Sequence, residues 1–593
     1  MPTCASADGY DWPSATQNIP AFPTAEGFGK FATGGRGGRV VTVTNLDDDP
    51  TNPPAGSLRW ALAQYPGDPI TVVFNVSGWI ILKDELRVNR TEGVTIAGQT
   101  APGEGVTLYP RAFSINGAKN IVVRNMRFRN GSHAWDGTDL IKNADKVDQA
   151  LCAENAEQVI FDHCTFGWSA EEIVNNQTSH FQTYSYCLLH EGLYDAGHHK
   201  GSARSFGCQW GGSQSTFHHN MLAHNYSRSP RFQGARDNDY VVYDEFVNNV
   251  NFNWGKVNAC YGGENNQKGR YSGHQINFVN NYWRMGPATV KGGASRNPQF
   301  MRPTAGTSVS EWYLSGNYMD QSPEITADNL KGVTVDGDES KVKFTNEFIV
   351  PSKFYPGYKF DWAEYTMKDK VQTAEDAYSD VLANVGCIVR DSIEKRIIRE
   401  CREGTATFGG HWQNDGKYGI IDDQIDAEMV KQDNGFSVCS VALPSESRPT
   451  GWDSDGDGMP DAWEKANGFD PSDPSDGNHI NPEGYTALEK YLAGLMGEEI
   501  NGQFGNAASI RNEHAVRFTV KAENGKIAIS AEADASSFHV FDQQGRCRIA
   551  GNLHEGENNI DAFMLGQGIY MIWVTNKEGY RNAAKVIVKG KNK

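Results

Sequence analysis

The sequence predicts an all-β protein: a right-handed single-stranded parallel β-helix with a helical C-terminal layer, followed by a small β-sandwich. Three observations carry this. Short apolar segments of four to eight residues recur from about residue 36 to 320, each bounded by Gly, Asn or Asp. Several end in asparagine, as in Arg124-Asn125, His219-Asn220, Asn248-Asn249, Asn280-Asn281 and Gly316-Asn317. Glycine is abundant, 63 of 593 residues, above the usual ~7%, as a fold with many turns requires. An Asn returning after a β segment at intervals of roughly 22–35 residues marks a solenoid, in which equivalent side chains stack and hydrogen-bond at one corner of each coil. A sandwich with Asn-rich turns would supply the turns without the recurrence.

The strand segments run in order through Val40–Val43, Ile70–Phe74, Gly93–Ala97, Asn120–Val123, Gln158–Phe161, Ser215–His218, Asp244–Val247 and Gln275–Phe278. Residues 373–403 change to a helical period. Thr373-Ala-Glu-Asp376 and Asp391-Ser-Ile-Glu394 resemble capping boxes, and Ile393, Ile397 and Cys401 share a face. Residues 404–450, mixed in Gly, Asp and Ser, read as a linker. The tail alternates at Phe518/Val520, Ile527/Ile529, Phe538/Val540, Ile569/Met571/Trp573 and Val586/Val588, the pattern of a small sandwich. The division is therefore 1–410 for the β-helix, 411–450 for the linker, 451–500 for an acidic loop and helix, and 515–593 for the sandwich. Cys387 and Cys401 flank the helical pattern and could pair, while Cys152, Cys164 and Cys187 fall in strands and could be buried thiols.

With 55 Lys and Arg against 73 Asp and Glu, the net charge is −18, which argues against nucleic acid as a partner. No stretch approaches the ~20 apolar residues that span a bilayer. The opening Met1-Pro-Thr-Cys4 has no charged segment followed by an apolar run, leaving a cytosolic protein or one whose signal peptide was removed.

Two blocks carry chemistry. Residues 453–464 read Asp-Ser-Asp-Gly-Asp-Gly-Met-Pro-Asp-Ala-Trp-Glu. Asp453, Asp455, Asp457, Asp461 and Glu464, with the Met459 carbonyl and Gly458, fit the spacing of a Ca²⁺-binding loop of structural role. A further acidic run (Asp470, Asp473, Asp476) precedes a helix at 485–495. The second block contains Phe161-Asp-His163, Glu171-Glu172, His198-His-Lys200, Phe217-His-His-Asn220 and Arg228-Ser-Pro-Arg231.

On the Asp162-His163 strand, the His218-His219-Asn220 segment and Arg228-Ser-Pro-Arg231, together with the glycine-rich opening Gly27–Gly38 and Ser57-Leu-Arg-Trp60, the chain resembles polysaccharide lyase family 1, the pectate lyases, over roughly residues 20–410. The resemblance implies β-elimination on polygalacturonate, the homogalacturonan of plant cell walls, assisted by Ca²⁺. It implies Arg228 as general base, Lys200 and Arg231 as substrate-binding residues, and Asp148, Glu171, Glu172 and Asn175 as candidate Ca²⁺ ligands. By strand parity Glu171 and Asn175 share a side and Glu172 faces the other. His163, His218 and His219 are expected to be structural. Where the family often has a further Arg, five residues after the base, this chain has Gln233, which leaves methyl-esterified pectin open as a substrate.

A glycan hydrolase would need clustered Asp residues for acid and water activation, and no such set occurs in order. A non-catalytic pectin-binding β-helix would tolerate loss of Arg228 or Lys200, yet both are present. The Gly34–Gly38 run lacks the Lys-Ser/Thr ending of a phosphate loop. The tail around Gly545-Arg546 and Gly568-Ile-Tyr570 resembles the C-terminal sorting domains of proteins secreted by Bacteroidetes-type bacteria, which implies export to the periplasm, the cell surface or the medium; the protein is expected to be a monomer.

Overall fold

The computed structural model describes most of residues 19–505 and 518–588, with 136–139, 143–148, 202, 237–240, 257–258, 269–272, 352–361, 415, 428–430, 433–434, 437–444 and short turns of the tail outside the description. It forms two compact units, residues 18–479 with 483–502, and residues 503–593 with 1–17 and 480–482.

The first unit is a right-handed parallel β-helix. Successive coils contribute strands to three parallel sheets, the terminal coils not to all three. The first sheet has eleven strands, from Arg39–Val43 to Val342–Thr345; the second has nine, from Gly78–Ile81 to Tyr318–Met319; the third has eight, from Leu86–Arg87 to Arg302–Pro303. Because coils stack in register, Phe217 pairs with Phe246 and Phe246 with Phe278. Inward residues such as Ile121, Val123, Val159 and Phe161 are buried, and rings stack along the axis, Phe161 on Tyr184 at 5.3 Å and Phe246 on Phe278 at 5.2 Å.

The turn from the first sheet to the second repeats a backbone feature. Asn125, His163, Tyr186, His219, Asn248 and Asn280 all have positive φ, and the next residue turns inward. From residue 220 onward that next residue is Asn: Asn220 Nδ2 donates to Asn249 Oδ1 at 3.0 Å, Asn249 to Asn281 at 3.1 Å and Asn281 to Asn317 at 2.9 Å. In the earlier coils Cys187, Cys164 and Met126 follow the positive-φ residue instead. Asn125 thus stands one residue out of register with the ladder, in the left-handed position that Asn tolerates. His163, Tyr186 and His219 occupy that same position, with successive rings stacked at 4.9 Å. Cys387 and Cys401 are buried free thiols and do not pair.

Residues 21–38 form a strap along the outer face of the first sheet. Gly35 N donates to Thr95 Oγ1 and Gly29 N to Thr183 Oγ1, both at 2.9 Å. A Cβ on Gly29 would lie 2.1 Å from the Val159 carbonyl oxygen, so only glycine permits the approach.

Helices Ala374–Asn384 and Ser392–Glu403 lie on the side of the solenoid, against outward residues of the second sheet including Leu188, Met221 and Tyr282. Asp391 and Glu394 complete the capping box, each accepting the other's backbone N–H at 2.9 Å. Their carboxylates also reach the second sheet: Arg127 Nε donates to Glu394 at 2.9 Å and Arg129 Nη1 to Asp391 at 2.5 Å, with both arginines fully buried. The first part of the stretch that composition marks as a linker packs on the same unit, since Ile421 and Ala427 join the cluster of the two helices and Trp412 and Ile420 are buried against Ala288. Residues 453–479 and 483–502 likewise belong to the β-helix unit. The boundaries placed at 411 and 451 therefore differ from the structural ones, because apolar residues spaced without periodicity can still pack.

The second unit has a three-stranded and a four-stranded antiparallel sheet around Ile527, Ile529, Val540, Ile572 and Val574. In strand Gly568–Asn576 the buried set is Tyr570, Ile572 and Val574, whereas Ile569, Met571 and Trp573 face outward. The alternation was legible but its parity was not, because both sets are apolar.

Buried histidines make the β-helix sensitive to acid. Burial lowers His218 to about 3 and His274 to about 4, from 6.5. The unfolded chain takes up these protons near pH 6.5 and the folded chain does not. Stability is therefore complete above pH 6.5 and falls below it by about 1.4 kcal/mol per pH unit for each histidine. The urea midpoint should drop between pH 6.5 and 4, and His218→Gln should flatten that slope by one proton's worth; an unaltered slope would refute the assignment.

Candidate functional site

Of the second sequence block, Glu171, Glu172, His198, Lys200, Arg228 and Arg231 gather where the chain enters the third sheet, whereas Asp162, His163, His218 and His219 lie on the first sheet and its turn to the second. Four successive strands there are Glu172–Asn175, Phe206–Trp210, Arg231–Phe232 and Tyr261–Gly262. Glu171 accepts from Lys200 Nζ at 3.2 Å, from His198 Nε2 at 3.1 Å, and from Arg204. His198 Nδ1 accepts the Lys200 backbone N–H at 3.1 Å, and burial lowers its imidazole to about 4, so it serves as a neutral Nε2–H donor. Glu172 pairs with Arg228 Nη1, and the Arg228 guanidinium lies 4.0 Å from the centre of the Phe206 ring. In the next coils Glu264 accepts from Arg231 at 2.8 Å and from Arg236 at 3.0 Å.

Arg228 is held in a left-handed backbone conformation, φ +59°, which costs a side-chain-bearing residue roughly 1–2 kcal/mol. Neighbouring groups impose it. Cys208 N donates to the Arg228 carbonyl at 2.6 Å, and a Cβ on Gly207 would lie 2.5 Å from that oxygen. Strain of this kind persists where surroundings over-determine the conformation, often at working side chains.

Charge in the groove is opposite to that of the chain. Five cationic side chains (Lys200, Arg204, Arg228, Arg231, Arg236) meet three carboxylates (Glu171, Glu172, Glu264), within a protein of net −18. Lys200 is the most open member, with 58% of its side chain exposed, followed by Arg236 at 43%.

The structure brings Glu171, Glu172, Lys200 and Arg228 together and sets Arg231 in the following coil. Asp148 lies outside the described residues. Asn175 stands apart: it ends the strand, roughly 13 Å of extended chain beyond Glu171, and its amide donates to Glu154 at 2.8 Å. Gln233 is buried, accepting the Thr178 backbone N–H at 2.9 Å, so it does not face the groove. Among the described residues, no three acidic, His or Cys ligand atoms gather in this groove. Each groove carboxylate faces a Lys, Arg or His, so the donors present do not fit a cation cage. Arg204, Arg236 and Glu264 escaped sequence reasoning. The one available signal was that Arg204 lies two residues before the strand Phe206–Trp210 and four residues after Lys200.

Acidic ligand atoms do gather elsewhere, in two overlapping sets: Asp453 with Asp455 and Asp457, and Asp457 with Glu464 and Asp476. Burial, reinforced by the neighbouring carboxylates, raises Asp457 to about 7 and Glu464 to about 8. Met459 is fully buried. Asp461 is turned away, accepting from Ser454 N at 2.8 Å and Ser454 Oγ at 2.9 Å.

No protein-family model matches the chain. "Probable pectate lyase C" of Aspergillus fumigatus is 32% identical over 487 residues, 81% of this chain and 95% of that protein. The protein of the same description from Emericella nidulans is 32% identical over 489 residues, 82% of this chain and 94% of its own. "Pectate lyase 5" of Ambrosia artemisiifolia is 32% identical over 160 residues, 26% of this chain and 38% of its own. Among solved structures, the cedar pollen allergen Jun a 1 is 18% identical with a TM-score of 0.40, covering 61% of this chain and 93% of its own. Since two relatives are matched across nearly their whole length at this identity, the chain belongs to the pectate lyase family.

Proposed function

We propose that this protein cleaves polygalacturonate by β-elimination in the groove along the third sheet. The observation that carries the reading is the excess of cationic side chains at Lys200, Arg204, Arg228, Arg231 and Arg236 in an otherwise acidic chain. Such a strip attracts a polyanion and would gain little from a methyl-esterified one. Membership of the pectate lyase family supports the reaction type.

In the elimination, the proton on C5 leaves to a base, its electron pair forms the C4–C5 double bond, and the C4–oxygen bond breaks. The leaving oxygen is protonated. Because C5 is next to a carboxylate, negative charge develops on that carboxylate, and cations around it lower the barrier. Lys200 and Arg231 are assigned to the substrate carboxylates and Arg228 to the C5 proton. Glu172, bonded to Arg228 in the absence of substrate, is a positioning residue that sets where the guanidinium stands before substrate binds. A guanidinium keeps its proton in water to pH above about 12, so the base role requires Arg228 to be crowded by other cations once substrate displaces its pairing with Glu172. Ca²⁺, which the family resemblance implies, would screen the same developing charge; it would have to compete with Lys200, Arg204 and Arg228 for the Glu171 and Glu172 oxygens, so no step here depends on it. The tail's resemblance to sorting modules supports export to the periplasm, cell surface or medium.

The deciding experiment is ultraviolet absorbance of polygalacturonate and of highly methyl-esterified pectin incubated with the full chain. A conjugated C4–C5 double bond absorbs, and hydrolysis leaves no such chromophore. Absorbance rising faster on polygalacturonate is expected. New reducing ends without absorbance would make the protein a hydrolase, and a faster reaction on the ester would reassign the substrate.

A further inference from the structure

We propose that Asp453, Asp455, Asp457, Glu464 and Asp476 bind Ca²⁺ with a ligand set different from the one loop spacing assigns, and that the ion fastens residues 453–478 to the first coils of the β-helix. Spacing alone selects Asp461. In the structure both Asp461 oxygens are already bonded to Ser454, and Asp476, 12 residues beyond Glu464 in the chain, stands in the cluster instead.

The independent sign of a ligand is the state of the buried oxygens. Glu464 is completely buried, and Asp457 and Asp476 are each 4% exposed. Both Glu464 oxygens, Asp457 Oδ2, Asp455 Oδ2 and Asp476 Oδ1 have no hydrogen-bond partner. Carboxylates buried close together without partners are expensive to keep ionised, and no Lys, Arg or His among the described residues pairs with these oxygens. A divalent cation bound at Asp457, where the two sets of three meet, offers these oxygens the positive partner they lack. The donors are oxygens alone, with no His or Cys, and the turns at Gly456 and Gly458 (φ +81° and +93°) let the loop wrap. An oxygen-only, carboxylate-rich site on a flexible loop suits Ca²⁺ over Zn²⁺ and over the stricter octahedron of Mg²⁺.

Both halves of the site touch the start of the solenoid. A Cβ on Gly458 would lie 3.1 Å from Val40 and 3.4 Å from Val73, residues of the first two strands of the first sheet. Asn478, two residues after Asp476, donates to the Gly38 carbonyl at 3.2 Å. Helix Ala487–Leu495 follows, with Glu489 bonded to Arg36 of the strap at 2.7 Å. An ion joining Asp457 and Glu464 to Asp476 therefore closes a cover over the first coils. The inference is independent of the lyase reading, because none of these residues lies in the groove.

The test uses Tb³⁺ on the full chain, with Trp463, adjacent to Glu464 in sequence, as the sensitiser. Sensitised emission displaced by Ca²⁺ is expected from the wild type and from Asp461→Asn. Asp476→Asn and Glu464→Gln should weaken Ca²⁺ competition by about tenfold or more, since affinity follows the count of charged ligands. Both variants remove a like charge from a crowded cluster and should fold without metal. At one Ca²⁺ concentration the thermal midpoint of the wild type should rise further than that of Glu464→Gln. Full affinity in Asp476→Asn with loss in Asp461→Asn would restore the spacing-based set, and absence of both emission and midpoint shift would refute the site.

Discussion

Arg228→Lys should reduce kcat on polygalacturonate by roughly 10²–10⁴-fold, the usual contribution of a proton-transferring group. Lysine keeps the positive charge opposite Glu172, so the buried carboxylate is not stranded and the fold should survive. What is lost is the planar guanidinium, now paired with Glu172 and set against Phe206. The thermal midpoint should accordingly stay close to wild type while the ultraviolet signal collapses, with KM changed much less than kcat. Wild-type kcat in this variant would remove Arg228 from the chemistry and leave it a binding residue. If kcat and midpoint fell together, the effect would be structural.

The largest stability effect is expected at the join between the helical layer and the second sheet. Glu394→Ala removes a fully buried carboxylate that accepts from Arg127, also fully buried. Breaking one side of such a pair typically costs about 3–5 kcal/mol, because the remaining charge is left in a low-dielectric interior. Asp391 remains 3.4 Å from Arg127 but is already bonded to Arg129 at 2.5 Å. Burial alone would raise the Asp391 carboxyl; Arg129 and Arg127 instead hold it below the ordinary carboxylate range, so it is fully ionised and engaged. Glu394→Ala also removes the capping acceptor for Asp391 N, adding to the loss. A fall in the denaturant midpoint equivalent to less than about 1 kcal/mol would show that Asp391 alone satisfies Arg127.

The β-helix was legible where a single residue type is demanded in successive coils. Asn249 must donate both to the next coil's Asn281 and to the carbonyl of Phe217, 2.9 Å away, and no other side chain does both, so Asn recurs and the recurrence can be seen. Where Cys164, Cys187 and Met126 take the equivalent place, the coil is the same and the sign disappears. Arg228 and Lys200 were found through ordered motifs. Arg204, Arg236 and Glu264 were not, because inter-coil loops differ in length and carry no periodicity that would place residues side by side. Asp476 joins Asp457 only through a turn whose direction spacing cannot encode. In the tail, Trp573 and Ile572 offer equally apolar faces, and the choice between them is made by the opposing sheet.

The strap along residues 21–38 acts as a ruler. Its hydrogen bonds fall on Thr95, Thr183 and, through Phe28 N at 3.3 Å, Thr216, which belong to the first, fourth and fifth of five adjacent strands. Four inter-strand steps cover roughly 19 Å, and the seven residue-to-residue steps from Phe28 to Gly35 reach at most about 25 Å. Gaining or losing one coil within that span would displace every later contact by roughly 4.8 Å and set glycines against the wrong threonines. The number of coils from Thr95 to Thr216 is thereby fixed by a separate piece of chain, and the strap's hydrogen bonds to strand threonines among the described residues end at Thr216. Related proteins should differ in coil number toward the C-terminal end of the solenoid and keep it constant beneath the strap.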